Sequence, residues 1–171
     1  MLARRTGLRG AFFAALLAAA PNAGAETWQN YTSAADGFAV EVSGDVKVSP
    51  QALDAGTQAR VLRSTQYLQD GGGYAYMVIA SLTRMPPNFE AGVDGSFTAM
   101  KCKQTLPHQA VPLPEGRAVE IRGTDCFGGQ LQVIARYFVK GNWFYQVLSA
   151  VPAGGEENAQ RFVRSFKVIG P

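Results

Sequence analysis

Histidine and cysteine are scarce in this chain, and their scarcity excludes several kinds of chemistry. The 171 residues include one histidine, His108, and two cysteines, Cys102 and Cys126. A structural zinc site needs four such ligands, and nucleophilic catalysis needs an activated nucleophile beside a base. No Gly-x-Ser-x-Gly motif is present, and His108 lies in a proline-containing loop that we interpret as solvated. The sequence therefore predicts no catalytic residue, no metal site and no cofactor.

Long apolar runs are scarce as well. Residues 1–25 carry three arginines within their first nine positions. A short run rich in Ala, Leu and Phe follows, and the segment ends in Ala23-Gly24-Ala25. This order is typical of a secretory signal peptide, and it places the cleavage between Ala25 and Glu26. The run is too short for a permanent membrane span, although a membrane anchor is the alternative, and no later segment approaches the required length. Residues 26–171 are therefore predicted to form one periplasmic or secreted domain without a membrane span.

The export prediction has a direct check. If the signal peptide is removed, the intact mass of the natively expressed protein should correspond to a chain that starts at Glu26. A full-length mass in the cytoplasmic fraction would contradict it. The pair Arg4-Arg5 also occurs in twin-arginine signals, but Gly7 stands where that motif prefers a bulky apolar residue. Export of the unfolded chain is the preferred interpretation, and the route stays open.

An excess of positive charge is also missing once the leader is set aside. The chain has 16 basic and 13 acidic residues, but three of the basic ones lie in the leader, so residues 26–171 carry 13 of each sign. A nucleic-acid interface needs Lys and Arg clustered on one face, and no such cluster is evident. Removing 25 residues from 171 leaves 146, and a domain of that size buries roughly 68–70% of its unfolded surface.

The two cysteines are predicted to form a structural disulfide. In an oxidising compartment an isolated pair usually bridges, and Cys102 and Cys126 are not arranged as Cys-x-x-Cys. The bridge would close a loop around the proline-rich stretch Thr105–Gly116. Free buried thiols and a redox pair are the alternatives.

The periodicity predicts an α+β fold. The longest pattern is a hairpin from Leu131 to Val151, reversed at Lys140-Gly141-Asn142, because Gly and Asn accept the positive φ of a tight turn. Apolar residues at helical spacing follow near the C-terminus, and a second helix is predicted from Phe89 to about Lys103. Runs of strands with few helices favour an antiparallel sheet of six or seven strands with helices packed on it.

Several short motifs resemble one protein family. They lie in an early Tyr-x-Ser…Gly-Phe-x-Val-x-Val strand, in the C-terminal hairpin and in the last helix (Tyr31, Ser33, Gly37, Phe38, Val40, Val42; Ala135 to Val147; Ala159, Phe162, Ser165, Phe166). The chain resembles small secreted bacterial proteins of unassigned function whose domain is similar to PsbP, an extrinsic subunit of photosystem II. This resemblance implies an α/β/α sandwich around an antiparallel sheet. Family members with known roles act mostly as binding or assembly modules, and no functional residue is implied.

Two sets of polar residues are candidates for contacts. Tyrosines and arginines flank the glycine run that starts at Gly71, and both types are favoured at contact surfaces. We call this set the predicted contact rim (Tyr67, Tyr74, Tyr76, Arg60, Arg63); the alternative is that these are partly buried aromatics beside a hairpin. The second set is Glu120 and Arg122 on one strand with Arg136 opposite, which predicts an ion pair on the solvated side of the sheet.

The functional hypothesis follows from export, the lack of a catalytic constellation and the resemblance. It is a non-enzymatic periplasmic or secreted module that binds a protein partner or an envelope component. The alternative is a hydrolase-type enzyme whose carboxylates come from separate strands and converge in a pocket.

Overall fold

Antiparallel pairing dominates the computed structural model, which describes residues 27–170. Within that range there are eleven strands and three helices. The strands are β1 (Gln29–Ser33), β2 (Phe38–Val42), β3 (Lys47–Pro50), β4 (Val61–Asp70), β5 (Ala75–Thr83), β6 (Gln104–Thr105), β7 (Gln109–Ala110), β8 (Arg117–Cys126), β9 (Leu131–Lys140), β10 (Trp143–Val151) and β11 (Lys167–Val168). The helices are α1 (Ala55–Gln58), α2 (Phe89–Ala99) and α3 (Glu156–Ser165). None of these helices is long and apolar enough to cross a membrane.

The strands form one large and one small sheet. The large sheet has the order β3-β4-β5-β10-β9-β8-β6, and the short β7 also pairs with β8. The small sheet has the order β1-β2-β11. The predicted hairpin is β9-β10, and it lies near the centre of the large sheet, between β5 and β8. The predicted fold class, an antiparallel sheet carrying helices, is confirmed.

Helices and strands cover both faces of the large sheet. On one face, which we call the α3 face, Phe162 of α3 packs with Phe38 of the small sheet and with Phe138 and Tyr145. On the other, the α2 face, side chains of α2 pack with apolar residues of β8, β9 and β10. Both faces of β9 and β10 are therefore buried. This agrees with their sequences, in which apolar residues stand at odd and even positions alike.

The end of α2 differs from the prediction. The helix ends at Ala99 rather than near Lys103, because Lys101 adopts a left-handed φ of 50° and the Phe127 amide donates to the Met100 carbonyl at 2.9 Å. Cys102 therefore lies beyond the helix, where the structure joins it to Cys126 in a disulfide with the two Cα atoms 3.8 Å apart. The predicted pairing of the two cysteines is the one present.

Candidate functional site

The predicted contact rim does not form one surface, and this part of the prediction is wrong. Arg60 and Arg63 lie at the start of β4, whereas Tyr74 follows the turn at the far end of that strand. Ten residues at about 3.3 Å each separate Arg60 from the Tyr74 end of the strand by roughly 30 Å. Tyr67 and Tyr76 are only 7% and 2% exposed, so neither ring is available to a partner.

Two members of that set belong instead to a buried network around Asp36. The Tyr67 hydroxyl donates to Asp36 Oδ2 at 2.6 Å and lies 2.8 Å from Ser33 Oγ, while Arg63 forms an ion pair with the same carboxylate. The Tyr145 hydroxyl donates to the Asp36 carbonyl at 3.0 Å. Burial, helped by the hydrogen bond to Asp36, raises the pKa of Tyr67 to about 12, so the hydroxyl remains a donor. The network ties the β1-β2 turn to the large sheet.

This network is not arranged for nucleophilic catalysis. Ser33 has a tyrosine hydroxyl as its hydrogen-bond partner rather than a base, and Asp36 is occupied by Arg63 and Tyr67. The chain's one histidine, His108, is exposed in the loop between β6 and β7, as predicted. Sequence reasoning missed the network because Asp36-Gly37 has the pattern of a solvated turn, and nothing local indicates that a distant tyrosine covers it.

A second buried carboxylate is Glu120, which lies between two arginines. Arg122 donates to Glu120 Oε1 through Nε at 2.9 Å and Nη2 at 2.7 Å, and Arg136 donates to Oε2 at 2.7 Å. Burial raises the pKa of Glu120, but the two arginines outweigh it, and the net pKa of the carboxyl is lowered. The sequence predicted these partners correctly. It was wrong about the solvated side, because Glu120 is only 4% exposed.

A groove of about 190 Å³ lies beside this cluster, at the start of α3. Arg122, Thr105, Thr124 and Gln132 give it polar walls, and Glu156 is the one carboxylate among its lining residues. A two-carboxylate hydrolase needs a pair of acids that face one another across a cleft. The groove does not provide that pair. Within residues 27–170, no group of three or more His, Cys, Asp or Glu side chains is placed to hold a metal ion.

Away from the groove, two exposed apolar side chains lie at adjacent strand ends of the large sheet, together with two arginines. We call this set the strand-end patch: Arg60, Leu62, Arg84 and Met85. Leu62 is 53% and Met85 73% exposed. The Arg84 amide donates to the Arg60 carbonyl at 2.9 Å, and Val61 pairs with Thr83, so the four residues come from two adjacent strand ends. Within the described residues, neither arginine forms a salt bridge.

Hydrogen bonds to backbone carbonyls fix the backbone of this patch. The Thr83 hydroxyl donates to the Met85 carbonyl at 2.6 Å and also contacts the Asn142 carbonyl at 2.8 Å, which joins the end of β5 to the β9-β10 turn. Arg84 Nε donates to the Ala59 carbonyl at 3.1 Å. The patch therefore combines positive charge and exposed apolar side chains on a backbone that is fixed by hydrogen bonds. The rim prediction named Arg60, but Leu62 and Met85 were missed, because exposure of an apolar residue at a strand end has no local signal.

The other residues singled out from the sequence lie in three places. Ala25 and Glu26, the predicted cleavage residues, lie outside the described residues. Cys102 and Cys126 are paired as stated above. Glu156 and Glu157 occupy the first turn of α3, where negative charge favours the helix dipole.

Comparison with known proteins gives a result at the level of fold. No protein-family model matches the chain, and no curated protein matches it in sequence. The solution structure of cyanobacterial PsbP (CyanoP) from Synechocystis sp. PCC 6803 matches with a TM-score of 0.52 and 12% identity, over 89% of this chain and 98% of that chain. The Ran-binding protein Mog1p of Saccharomyces cerevisiae matches with a TM-score of 0.46 and 11% identity, over 85% and 97% of the two chains. The fold of this chain is similar to that of PsbP.

Proposed function

We propose that the protein is a non-enzymatic binding module that works in the periplasm or outside the cell, where it contacts a protein partner or an envelope component. The strand-end patch is the observation that carries this proposal. The signal-peptide pattern in residues 1–25 and the disulfide support the location, because disulfides form and persist in oxidising compartments.

The patch has the chemistry of a contact surface. Met and Arg are enriched at protein interfaces. Met85 is almost three-quarters exposed in the isolated chain, so its side chain is accessible to a partner. Arg63, which lies next to the patch, is held by Asp36, and its guanidinium stands 5.4 Å from the centre of the Trp143 ring. Arg60 and Arg84 have no such carboxylate partner among residues 27–170. Their charge is therefore available to a partner.

The hydrolase alternative receives less support. Both buried carboxylates, Asp36 and Glu120, are occupied by arginine, and Asp36 also accepts a hydrogen bond from Tyr67. A general acid or base must be free to exchange a proton with its substrate. Either carboxylate would first have to lose its partner.

Photo-crosslinking in intact cells tests the proposal. A photoreactive residue is placed at Met85 in one version of the protein and at Leu106 in another. Leu106 is 55% exposed and lies at the opposite end of the large sheet, after β6 and at the groove, so it is a control matched in exposure. We expect specific adducts from position 85 and not from position 106. Equal adducts from both positions, or none from position 85, would contradict the proposal.

A further inference from the structure

We infer that the strand-end patch binds an anionic phospholipid surface. This inference rests on the proposed function and names the partner of the same site. It starts from the mixture of side chains at the two strand ends: two guanidinium groups without a carboxylate partner in the described residues, and two exposed apolar side chains beside them.

This mixture suits the headgroup region of a membrane. Arginine pairs with phosphate oxygens in a bidentate manner, and its apolar stem is able to lie along hydrocarbon. Leu62 and Met85 are each more than half exposed, so apolar surface is accessible to the acyl boundary beside the arginines. The nearest acidic residue before β4, Asp54, is occupied in capping α1, where its carboxylate accepts from the Thr57 amide and hydroxyl.

The patch is poorly suited to the main alternative, an extended acidic peptide that adds a strand. Strand addition needs a row of free backbone groups at a sheet edge. Here the amides of Thr83 and Arg84 already donate to Asn142 and Arg60. The ladder also shifts register between Val61 and Arg63, and such a bulge interrupts pairing.

The net charge of the molecule does not by itself attract it to such a surface. Residues 26–171 carry 13 charges of each sign, so the whole protein has no net attraction to an anionic membrane. The attraction must come from the patch itself. The other end of the sheet carries both signs: Asp70, Glu156 and Glu157 are acidic, and Lys47, Lys103 and Arg122 are basic.

Vesicle co-sedimentation tests this inference. The oxidised chain that starts at Glu26 is mixed with vesicles of phosphatidylcholine alone, or of phosphatidylcholine with phosphatidylglycerol. We expect binding to the anionic vesicles only, and loss of binding at 1 M salt, where the Debye length falls to about 3 Å. The double variant Arg60→Glu/Arg84→Glu should bind at least about tenfold more weakly, because each arginine near an anionic surface strengthens binding by about fivefold.

Matched variants separate the patch from general effects of charge and hydrophobicity. The variant Arg164→Glu/Lys167→Glu makes the same change in net charge at two exposed positions on α3 and β11, and it should bind like the wild type. Leu62→Ser should weaken binding, whereas Leu106→Ser, at nearly the same exposure, should not. All variants are compared by circular dichroism and thermal unfolding, so that a folding defect is recognised.

Three results would overturn the inference. They are equal binding to neutral vesicles, equal weakening by the two double variants, and no vesicle binding at all. If vesicles are not bound but position 85 crosslinks to a protein in cells, the inference fails and the proposed function stands. If neither vesicles nor any cellular partner is contacted, both fail.

Discussion

Substitution of Glu120 by alanine should lower the free energy of unfolding by about 3–5 kcal/mol. Glu120 is 4% exposed and accepts hydrogen bonds from both Arg122 and Arg136. The Arg136 side chain is itself only 15% exposed, so removal of the carboxylate leaves a largely buried positive charge without its partner. Breaking one side of a buried ion pair costs about 3–5 kcal/mol for this reason. Urea denaturation of the wild type and of Glu120→Ala measures the difference.

Two further variants show whether charge is the cause. Replacing the whole cluster with apolar residues, as in Glu120→Leu/Arg122→Met/Arg136→Met, should recover most of the lost stability, because no unpaired charge remains. Glu120→Gln should fall between the wild type and Glu120→Ala. A loss below about 1 kcal/mol in Glu120→Ala would mean that the cluster is effectively solvated.

The same cluster gives the protein a defined dependence on pH. Because the folded pKa of Glu120 is lowered from its ordinary value of 4.5, the unfolded chain takes up the proton first as the pH falls. The stability that the ionised carboxyl contributes is therefore complete above about pH 4.5 and is lost as the pH falls through the folded pKa. The difference in unfolding free energy between the wild type and Glu120→Gln should shrink over that acidic range. A constant difference down to strongly acidic pH would contradict the lowered pKa.

Reduction of the Cys102–Cys126 disulfide should have the second-largest effect. The two cysteines are 24 residues apart, and closing a loop of that length stabilises the folded state by about 3 kcal/mol in the chain-entropy model. For a domain of this size, the expected fall in Tm is roughly 6–12 °C. Differential scanning calorimetry with and without reductant measures it, and Cys102→Ser/Cys126→Ser should unfold near the Tm of the reduced protein.

Free thiols give an independent check on the disulfide. Natively expressed protein, denatured without reductant, should show no titratable thiol. The surroundings of the bond are tight: a Cβ placed on Gly123 would lie 2.6 Å from Cys102 Sγ and 2.9 Å from Phe97 Cζ. Two titratable thiols, or a Tm that reductant leaves unchanged, would contradict the structural role.

Much of the fold was predictable because its strongest signals are local. The hairpin of β9 and β10, with its turn at Gly141, follows from strand composition and turn chemistry alone. The apolar spacing of α3 likewise predicted a helix that covers the sheet. The start of α2 also has a local signal, because Asn88 acts as its N-cap and accepts from the Ala91 amide at 3.1 Å. These features depend on residues close together in sequence.

The candidate site was less predictable because it depends on which strands are neighbours. The predicted rim grouped residues around the β4-β5 turn, but the ten residues of β4 carry Arg60 to the other end of the sheet. Glu120 alternates with Val119 and Ile121, which predicts a half-exposed strand. Its burial depends on Arg136 from β9, with which it pairs in register. Neither result can be read from a single strand.

The central claim is that the protein works by contact through the strand-end patch. Its most direct test is the adduct yield from a photoreactive residue at Met85 in intact cells, measured with and without Arg60→Glu/Arg84→Glu in the same chain. We predict a clear yield with both arginines present, loss of that yield in the double variant, and no loss with Arg164→Glu/Lys167→Glu. The same yield in all three chains would contradict the claim.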